Sequence, residues 1–518
     1  MVLLYMNEDR FEYDIRALLM EFYPGEEIRL ILGEENAAED PLESDALKAS
    51  ESEAKERETE APKESDSDFL RVTYLPSGET ELTHCHMGVC KEQTVPVTPG
   101  FAEEAGRRQH KTDVKCAIYR MISEALQTEL PWGSLTGIRP TKLATEMLAA
   151  GLSKEEIIRN MEEVYLVSHK KAVLSEEIAS REHAILSEED YKSGYSLYIG
   201  IPFCPTRCLY CSFTGYPIAK WKEKVDEYIT AVIRELDQVA ESFRNKRLYS
   251  VYMGGGTPTT LEPEQLDRLL TAVEERFDMS SVKELTVEAG RPDSVTREKL
   301  RVLKAHHVDR ISINPQTMKA ETLKIIGRGH TPDQIREAFA MAREEGFECI
   351  NMDLILGLPD ETAEDVERTM QEIEKMHPDN LTVHSLAIKR AARLNIERDQ
   401  YRCYAFENSE DIMAITDRYA RKMGMVPYYL YRQKNMAGNL ENIGFSGPET
   451  SSAGLYNILI MEEIHSIVAV GAGSISKCVH PSGLIERQAN AKDVKVYLER
   501  LDEELADKKA LFEKMLSE

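Results

Sequence analysis

Three cysteines, Cys204, Cys208 and Cys211, stand at Cys-x3-Cys-x2-Cys spacing inside YIGIPFCPTRCLYCSF, residues 198–213. The run before them, residues 197–201, is apolar and strand-like, and Pro202 and Pro205 keep the next residues from becoming helix, so the thiols belong to a loop. Three thiolates are one short of a tetrahedral structural zinc site. An iron-sulfur cluster with three protein ligands leaves one iron open to an outside ligand, and that open iron is the chemistry this spacing suggests. A zinc site completed from elsewhere, or three unrelated buried cysteines, are the alternatives that the spacing alone leaves.

Further residues suited to a site fall at what read as strand ends. Gly254-Gly255-Gly256-Thr257-Pro258 closes an apolar strand over 248–253, and absent side chains there let backbone amides and carbonyls approach a ligand. Glu288 ends a strand over 284–289, placing a carboxylate suited to ribose hydroxyls or an ammonium group. Gln316 and Arg328 flank the helix after the next strand. Asp353 is an acid inside the apolar strand 349–356, where an unpaired charge is costly; a salt bridge to a barrel arginine is its structural alternative.

The elements that must position these residues alternate. Val225, Ile229, Val232, Leu236 and Val239 repeat at helical spacing, and strands are expected at 248–253, 284–289, 310–314, 349–356 and 380–386 with amphipathic helices between them. Such units imply an α/β fold of parallel strands joined by right-handed crossovers, with the site at the carboxyl ends of the strands.

The words from YIGIPFC to CLYCSF, with Tyr210 just before the last cysteine, resemble the radical S-adenosylmethionine (SAM) enzymes. Within them the wording is most similar to the branch of the oxygen-independent coproporphyrinogen III oxidases, and closest to the HemZ-type coproporphyrinogen dehydrogenases, which the GIRPTK words at 137–142 also resemble. The resemblance covers about residues 130–480. It implies a partial (βα)6 TIM-like barrel, and a 4Fe-4S cluster held by Cys204, Cys208 and Cys211 with the fourth iron open to SAM. SAM would be cleaved reductively to a 5′-deoxyadenosyl radical. Abstraction of hydrogen from coproporphyrinogen III propionates, with loss of carbon dioxide and an electron, would leave vinyl groups and give protoporphyrinogen IX.

By the same resemblance, Gly254, Gly255, Gly256 and Thr257 hold the amino and carboxylate groups of SAM. Tyr198, Tyr210, Glu288, Gln316, Arg328 and Asp353 match SAM- and nucleotide-contacting positions, Ile475 belongs to the wall near SAM, and a second SAM would sit by Gln316, Arg328 and Asp353. An electron donor such as flavodoxin or ferredoxin is implied. A substrate with several carboxylates needs cations, for which Lys389, Arg390, Arg393, Arg432 and Lys434 are the candidates; a solvated charged face is the plain alternative for each. Gly200 stands where the closest oxidases carry a histidine, and Phe213 where several have a fourth cysteine. Two other functions therefore remain beside the oxidase: a haem chaperone, for which His384 could serve as axial ligand, and a radical methyltransferase acting on haem or porphyrin.

At 518 residues the chain is expected to hold several domains. The expected division is a small α/β module over 1–112, a helical connector over 113–190, the barrel over 191–394, and an α+β substrate-covering region over 395–518 that carries a Gly-rich strand at 467–475 and a terminal helix at 491–517. In the connector, Thr141 and Ser153 are candidate helix caps, Ser153 with Glu156 at capping-box spacing. Within 34–68, fourteen acidic against four basic residues and almost no large apolar side chains predict a disordered insertion. The formal net charge of −27 argues against nucleic acid as a partner. No apolar run is long enough to span a bilayer, and MVLLYMNEDR becomes charged too soon for a signal peptide, so a cytoplasmic location is expected; a monomer is expected separately. Nine cysteines, one cluster and the rest scattered, do not read as a disulfide framework. His84, Cys85, His86 and Cys90 match no ligand pattern, and Cys349, Cys403 and Cys478 are expected to be small buried hydrophobes.

Overall fold

The computed structural model describes residues 1–33, 68–187, 191–192, 194–213, 215–389, 391–401, 403–433, 436–480 and 482–517. The acidic insertion (save Asp68), Arg390 and Lys434 lie outside the described residues. The chain divides into two compact units, residues 1–140 with 146–176, and residues 141–145 with 177–518.

In the first unit, β1 (Val2–Met6), α1 (Glu12–Phe22), β2 (Ile28–Leu32), β3 (Asp68–Tyr74), β4 (Thr80–His86) and β5 (Val89–Val95) build a five-stranded sheet of order β2-β1-β3-β4-β5. β1 runs parallel to both neighbours, and β3 to β5 form an antiparallel meander. α2 (Glu104–Leu126) buries Val114, Ile118, Met121 and Ile122, one face of a 3.6-residue repeat, in a core with Leu4, Leu18, Val72 and Leu82. α3 (Thr141–Ala149), α4 (Lys154–Tyr165) and α5 (His169–Ser187) follow, the start of α3 and the end of α5 belonging to the second unit. Ser153 caps α4 in a full capping box with Glu156, whereas Thr141 lies inside α3 and Pro140 takes the position before it.

One pairing in this unit departs from expectation: Cys85 and Cys90 form a disulfide. They are directly opposed across the β4–β5 hairpin, whose two-residue turn is made by Met87 and Gly88, both at positive φ. A methionine in that backbone region conceals the turn in the sequence.

The second unit contains β6 (Gly194–Ile201), the two-residue strands β7 (Phe203–Cys204) and β8 (Tyr216–Pro217), α6 (Val225–Ser242), β9 (Arg247–Gly255), α7 (Pro263–Arg276), β10 (Glu284–Glu288), α8 (Arg297–Ala305) and β11 (Arg310–Ser312). It continues with α9 (Ala320–Ile325), α10 (Pro332–Glu344), β12 (Cys349–Leu356), α11 (Ala363–Met376) and β13 (Asn380–Ser385). Strands β6, β9, β10, β11, β12 and β13 are hydrogen-bonded side by side in chain order, all parallel, which is the partial barrel. Val225, Ile229, Val232, Leu236 and Val239 of α6 are all buried.

After α12 (Arg393–Ile396), α13 (Glu410–Lys422), β14 (Val426–Tyr431), β15 (Asn442–Ser446) and α14 (Leu455–Glu462) come β16 (Ile467–Val470), β17 (Ile475–Val479), β18 (Ile485–Ala489), α15 (Val494–Glu499) and α16 (Leu501–Ser517). β15 and β14 extend the sheet antiparallel beyond β13, while β16 adds a parallel strand beside β6. The expected single strand over 467–475 is therefore two strands joined by a turn, because Gly471 and Gly473 adopt positive φ. The expected terminal helix is likewise two, α15 and α16. Glu235 of α6 ties this region to the barrel: it accepts hydrogen bonds from the Gly471 amide at 2.6 Å, the Tyr497 hydroxyl at 2.6 Å and the Asn490 amide at 2.9 Å, and pairs with Lys508 of α16.

Candidate active site

The cysteine loop begins at the carboxyl end of β6 and is fastened by backbone hydrogen bonds. Gly256 N–H donates to Ile201 O at 2.7 Å, Thr257 N–H to Phe203 O at 2.7 Å, Leu209 N–H to Ile326 O at 2.9 Å, and Leu394 N–H to Leu209 O at 3.0 Å. The glycines of GGGTP are required by close approach. A Cβ on Gly256 would lie 2.6 Å from Phe203 O and 3.0 Å from Cys204 Sγ, and one on Gly254 would lie 2.9 Å from the Glu288 carboxyl carbon. Gly255 sits at φ +106°, where L side chains are strained.

The three thiols share one electrostatic neighbourhood. Burial pushes Cys204 up to about 11 against a hydrogen bond from Thr257 Oγ1 at 3.6 Å, with Cys211 and Cys208 raising it further. Burial also raises Cys211, and the neighbouring Cys208 adds to the rise. A bound cation beside Cys204 and Cys211 would favour their ionised form against this burial. No group of three or more His, Cys, Asp or Glu among the described residues is arranged around a single metal ion. A four-iron cluster gives each of three cysteines its own iron and leaves the fourth iron open, so three thiols on one loop are the donor set that such a cluster takes.

Beside the thiols the strand ends carry the predicted polar residues. Tyr252 donates its hydroxyl hydrogen to Glu288 Oε1 at 2.6 Å. Burial raises Glu288 to about 7; the Tyr252 hydrogen bond lowers it, the charge of Asp353 raises it, and the Gly255 amide lowers it. Asp353 is satisfied by amides, not by the arginine considered from sequence: Asn314 Nδ2 donates to Oδ2 and Asn351 Nδ2 to Oδ1, both at 2.7 Å, with His384 Nε2 4.0 Å away. Gln316 occupies the left-handed region, φ 65°, where its backbone bridges to Leu354, and its buried Oε1 has no hydrogen-bond partner among the described residues. The same is true of Arg328 Nε, although the guanidinium also donates to Asn314 O and, at 3.3 Å, to Gly290 O. Two buried polar atoms left over near a glycine cradle are what a bound polar ligand would satisfy.

Tyr198 stacks on Tyr252 with ring centroids 6.1 Å apart and on Tyr456 of α14 at 6.4 Å, while Tyr252 and Tyr456 stack at 4.5 Å. Tyr210 lies against Arg328 and Cys208, and burial holds its hydroxyl well above the usual range. Ile475 opens β17 one residue beyond Ser474, whose Cβ would be 3.7 Å from a Cβ on Gly200, and its own side chain is 49% exposed. Among the cation candidates, Arg432 is buried at 4% exposure and donates to Asn439 O at 3.2 Å. Arg393 pairs with Glu397 at 3.0 Å, and Lys389 lies over the exposed ring of Phe213 at 5.7 Å. Cys403, expected to be buried, is exposed, Cys349 is half-buried and Cys478 buried.

Sequence reasoning missed Tyr252, Tyr456, Asn314, and a buried group behind the cysteine loop. There Arg291 grips Asp293 with two nitrogens at 2.9 and 2.8 Å. His330 Nδ1 stands 3.8 Å from the same carboxylate. Burial alone would raise Asp293, but the neighbouring His330 and the hydrogen bonds from Arg291 hold it well below the usual carboxylate range.

Residues 198–373 match the family model described as the radical SAM superfamily. Over 447 residues the chain is 39% identical to the oxygen-independent coproporphyrinogen-III oxidase-like protein HemZ of Bacillus subtilis, covering 85% of this chain and 88% of that relative. Over 199 residues it is 38% identical to the haem chaperone HemW of Lactococcus lactis, covering 38% of this chain and 49% of that one. The solved structure of the coproporphyrinogen III oxidase HemN from Escherichia coli superposes with a TM-score of 0.47 at 23% identity, over 62% of this chain and 72% of that chain.

Proposed function

Since the chain belongs to the HemZ-type coproporphyrinogen-III oxidase-like proteins of the radical SAM superfamily, we propose that it decarboxylates coproporphyrinogen III propionates oxidatively to vinyl groups, giving protoporphyrinogen IX. The observation that carries this reading is the set of three thiols on a loop beside strand ends that also present the glycine cradle, Glu288 and Asp353.

Cys204, Cys208 and Cys211 would hold the cluster, and Gly254 to Thr257 with Tyr198, Tyr210, Glu288, Gln316, Arg328, Asp353 and Ile475 would hold one SAM or two. When bound, cluster and SAM supply hydrogen-atom abstraction by a 5′-deoxyadenosyl radical. Glu288 and Asp353 give the site negative charge for a cationic ligand, and the amides of Asn314 and Asn351 fix Asp353 in place. The stacked Tyr198, Tyr252 and Tyr456 rings line one side with apolar surface that keeps water from a reactive species. Arg390, Arg432 and Lys434 are proposed to receive substrate carboxylates, and a flavodoxin or ferredoxin to supply electrons.

A second reading, the haem chaperone, is favoured by the identity to HemW over 199 residues and by Phe213 in place of a fourth cysteine. An anaerobic assay of the reconstituted protein with SAM, reductant and coproporphyrinogen III separates them. The oxidase gives 5′-deoxyadenosine and decarboxylated porphyrinogen together, and Cys208→Ala abolishes both. Stoichiometric haem binding with neither product supports the chaperone, and 5′-deoxyadenosine without decarboxylation points to another porphyrin reaction, such as methylation.

A further inference from the structure

Arg291 is 3% exposed and follows β10 by three residues. Its guanidinium has no access to solvent, so each of its donors must find a protein acceptor. Nε and Nη2 hold Asp293 at 2.9 and 2.8 Å; Nη2 also donates to Thr206 Oγ1 at 3.1 Å, and Nη1 donates to Thr206 O at 3.2 Å. The remaining direction of Nη1 meets Cys208 Sγ at 3.6 Å, within hydrogen-bond distance for sulfur. Asp293 thus fixes one edge of the guanidinium, and the other edge faces the cysteine loop. Thr206 is fastened on its other side, its hydroxyl donating to Gly327 O at 2.8 Å.

We propose that Arg291 is a positioning residue that donates a charged hydrogen bond to the Cys208 sulfur and thereby raises the reduction potential of the cluster. The inference rests on the reading of the three thiols as cluster ligands. Reduction adds negative charge that is shared with the cysteine sulfurs, so a buried cation donating to one of them stabilises the reduced cluster more than the oxidised one. The Asp293 carboxylate offsets part of that charge at longer range while keeping the donor aimed. Arg328 also interacts with Cys208, so Cys208 is neighboured by two buried guanidiniums, whereas Cys204 receives a neutral hydroxyl from Thr257.

The test uses the full chain reconstituted anaerobically, as wild type, Arg291→Lys and the charge-balanced pair Arg291→Gln with Asp293→Asn, which leaves no unpaired buried carboxylate. Iron and sulfide content are measured first, and the reduced-cluster EPR signal is then titrated against mediators without SAM. The expected result is wild-type cluster content with the midpoint shifted to more negative potential in the pair. The oxidised-to-reduced ratio at fixed potential should change about tenfold, the scale of one charged hydrogen bond. Arg291→Lys, which keeps the charge and loses the fork, should shift less. An unchanged midpoint in both variants, or lower cluster content with an unchanged midpoint in the remaining fraction, overturns the proposal and leaves Arg291 a loop anchor. A wild-type protein that assembles no cluster overturns the cluster reading itself, and this inference with it.

Discussion

Glu288 offers a quantitative test of the site. Its carboxyl is raised to about 7, chiefly by burial and then by Asp353, against the lowering effect of the Tyr252 hydroxyl and the Gly255 amide. If the ligand is the cationic SAM and Glu288 must be ionised to hold it, binding costs a deprotonation below that value. The apparent dissociation constant then carries a factor of about 1 + 10^(7 − pH), so affinity should fall roughly tenfold, about 1.4 kcal/mol, between pH 8 and pH 6. Equilibrium dialysis of labelled SAM against the reconstituted, unreduced protein measures this. The ligand's own amino group titrates nearby, at about 8, but its contribution is common to every variant and cancels in the ratio to Glu288→Gln. Glu288→Gln should bind more weakly at pH 8 and lose the extra pH dependence. Tyr252→Phe removes a donor to the carboxylate and should move the midpoint above 7, while Asp353→Asn should move it below. Identical pH profiles for the wild type and Glu288→Gln would refute the assignment of Glu288 as the ionised partner of the ligand.

Three further outcomes are expected of the same structure. Gly256→Ala drives a Cβ to within 2.6 Å of one backbone carbonyl and 2.8 Å of another, neither able to retreat without moving the cysteine loop, so activity should drop about a hundredfold with loss of iron content. Lys508→Met strands the fully buried Glu235 without its cation and should destabilise the barrel unit by about 3–5 kcal/mol, read as a lower thermal unfolding midpoint; an unaltered midpoint would mean that the pair is dispensable. Arg432→Ala, alone or with Lys434→Ala, should raise KM for the porphyrinogen about tenfold while SAM cleavage persists, and an unchanged KM removes both from the substrate site.

Legibility in the sequence tracked the range of the interaction involved. The cysteine spacing, GGGTP and the alternation of helix with strand are local words, readable without any distant partner, although the fold then joins them across the chain: the GGGTP backbone hydrogen-bonds to Ile201 and Phe203 because β6 and β9 are adjacent parallel strands. What stayed hidden depends on distant partners. Tyr456 joins the aromatic stack only because Glu284 of β10 receives the first amides of α14, Leu455 N–H at 2.8 Å and Tyr456 N–H at 3.4 Å, which pins the start of that helix against the barrel strands. No periodicity near residue 456 announces this. Asp353 read as a candidate ligand contact, with a salt bridge to an arginine as the alternative because a lone carboxylate in an apolar strand is costly; two asparagine amides supply its hydrogen bonds without neutralising its charge. That difference bears on function. An arginine would have cancelled the negative charge, whereas amides leave it available to raise Glu288 and to meet a cation, so the partners that the sequence did not reveal are what sharpen what Asp353 can bind.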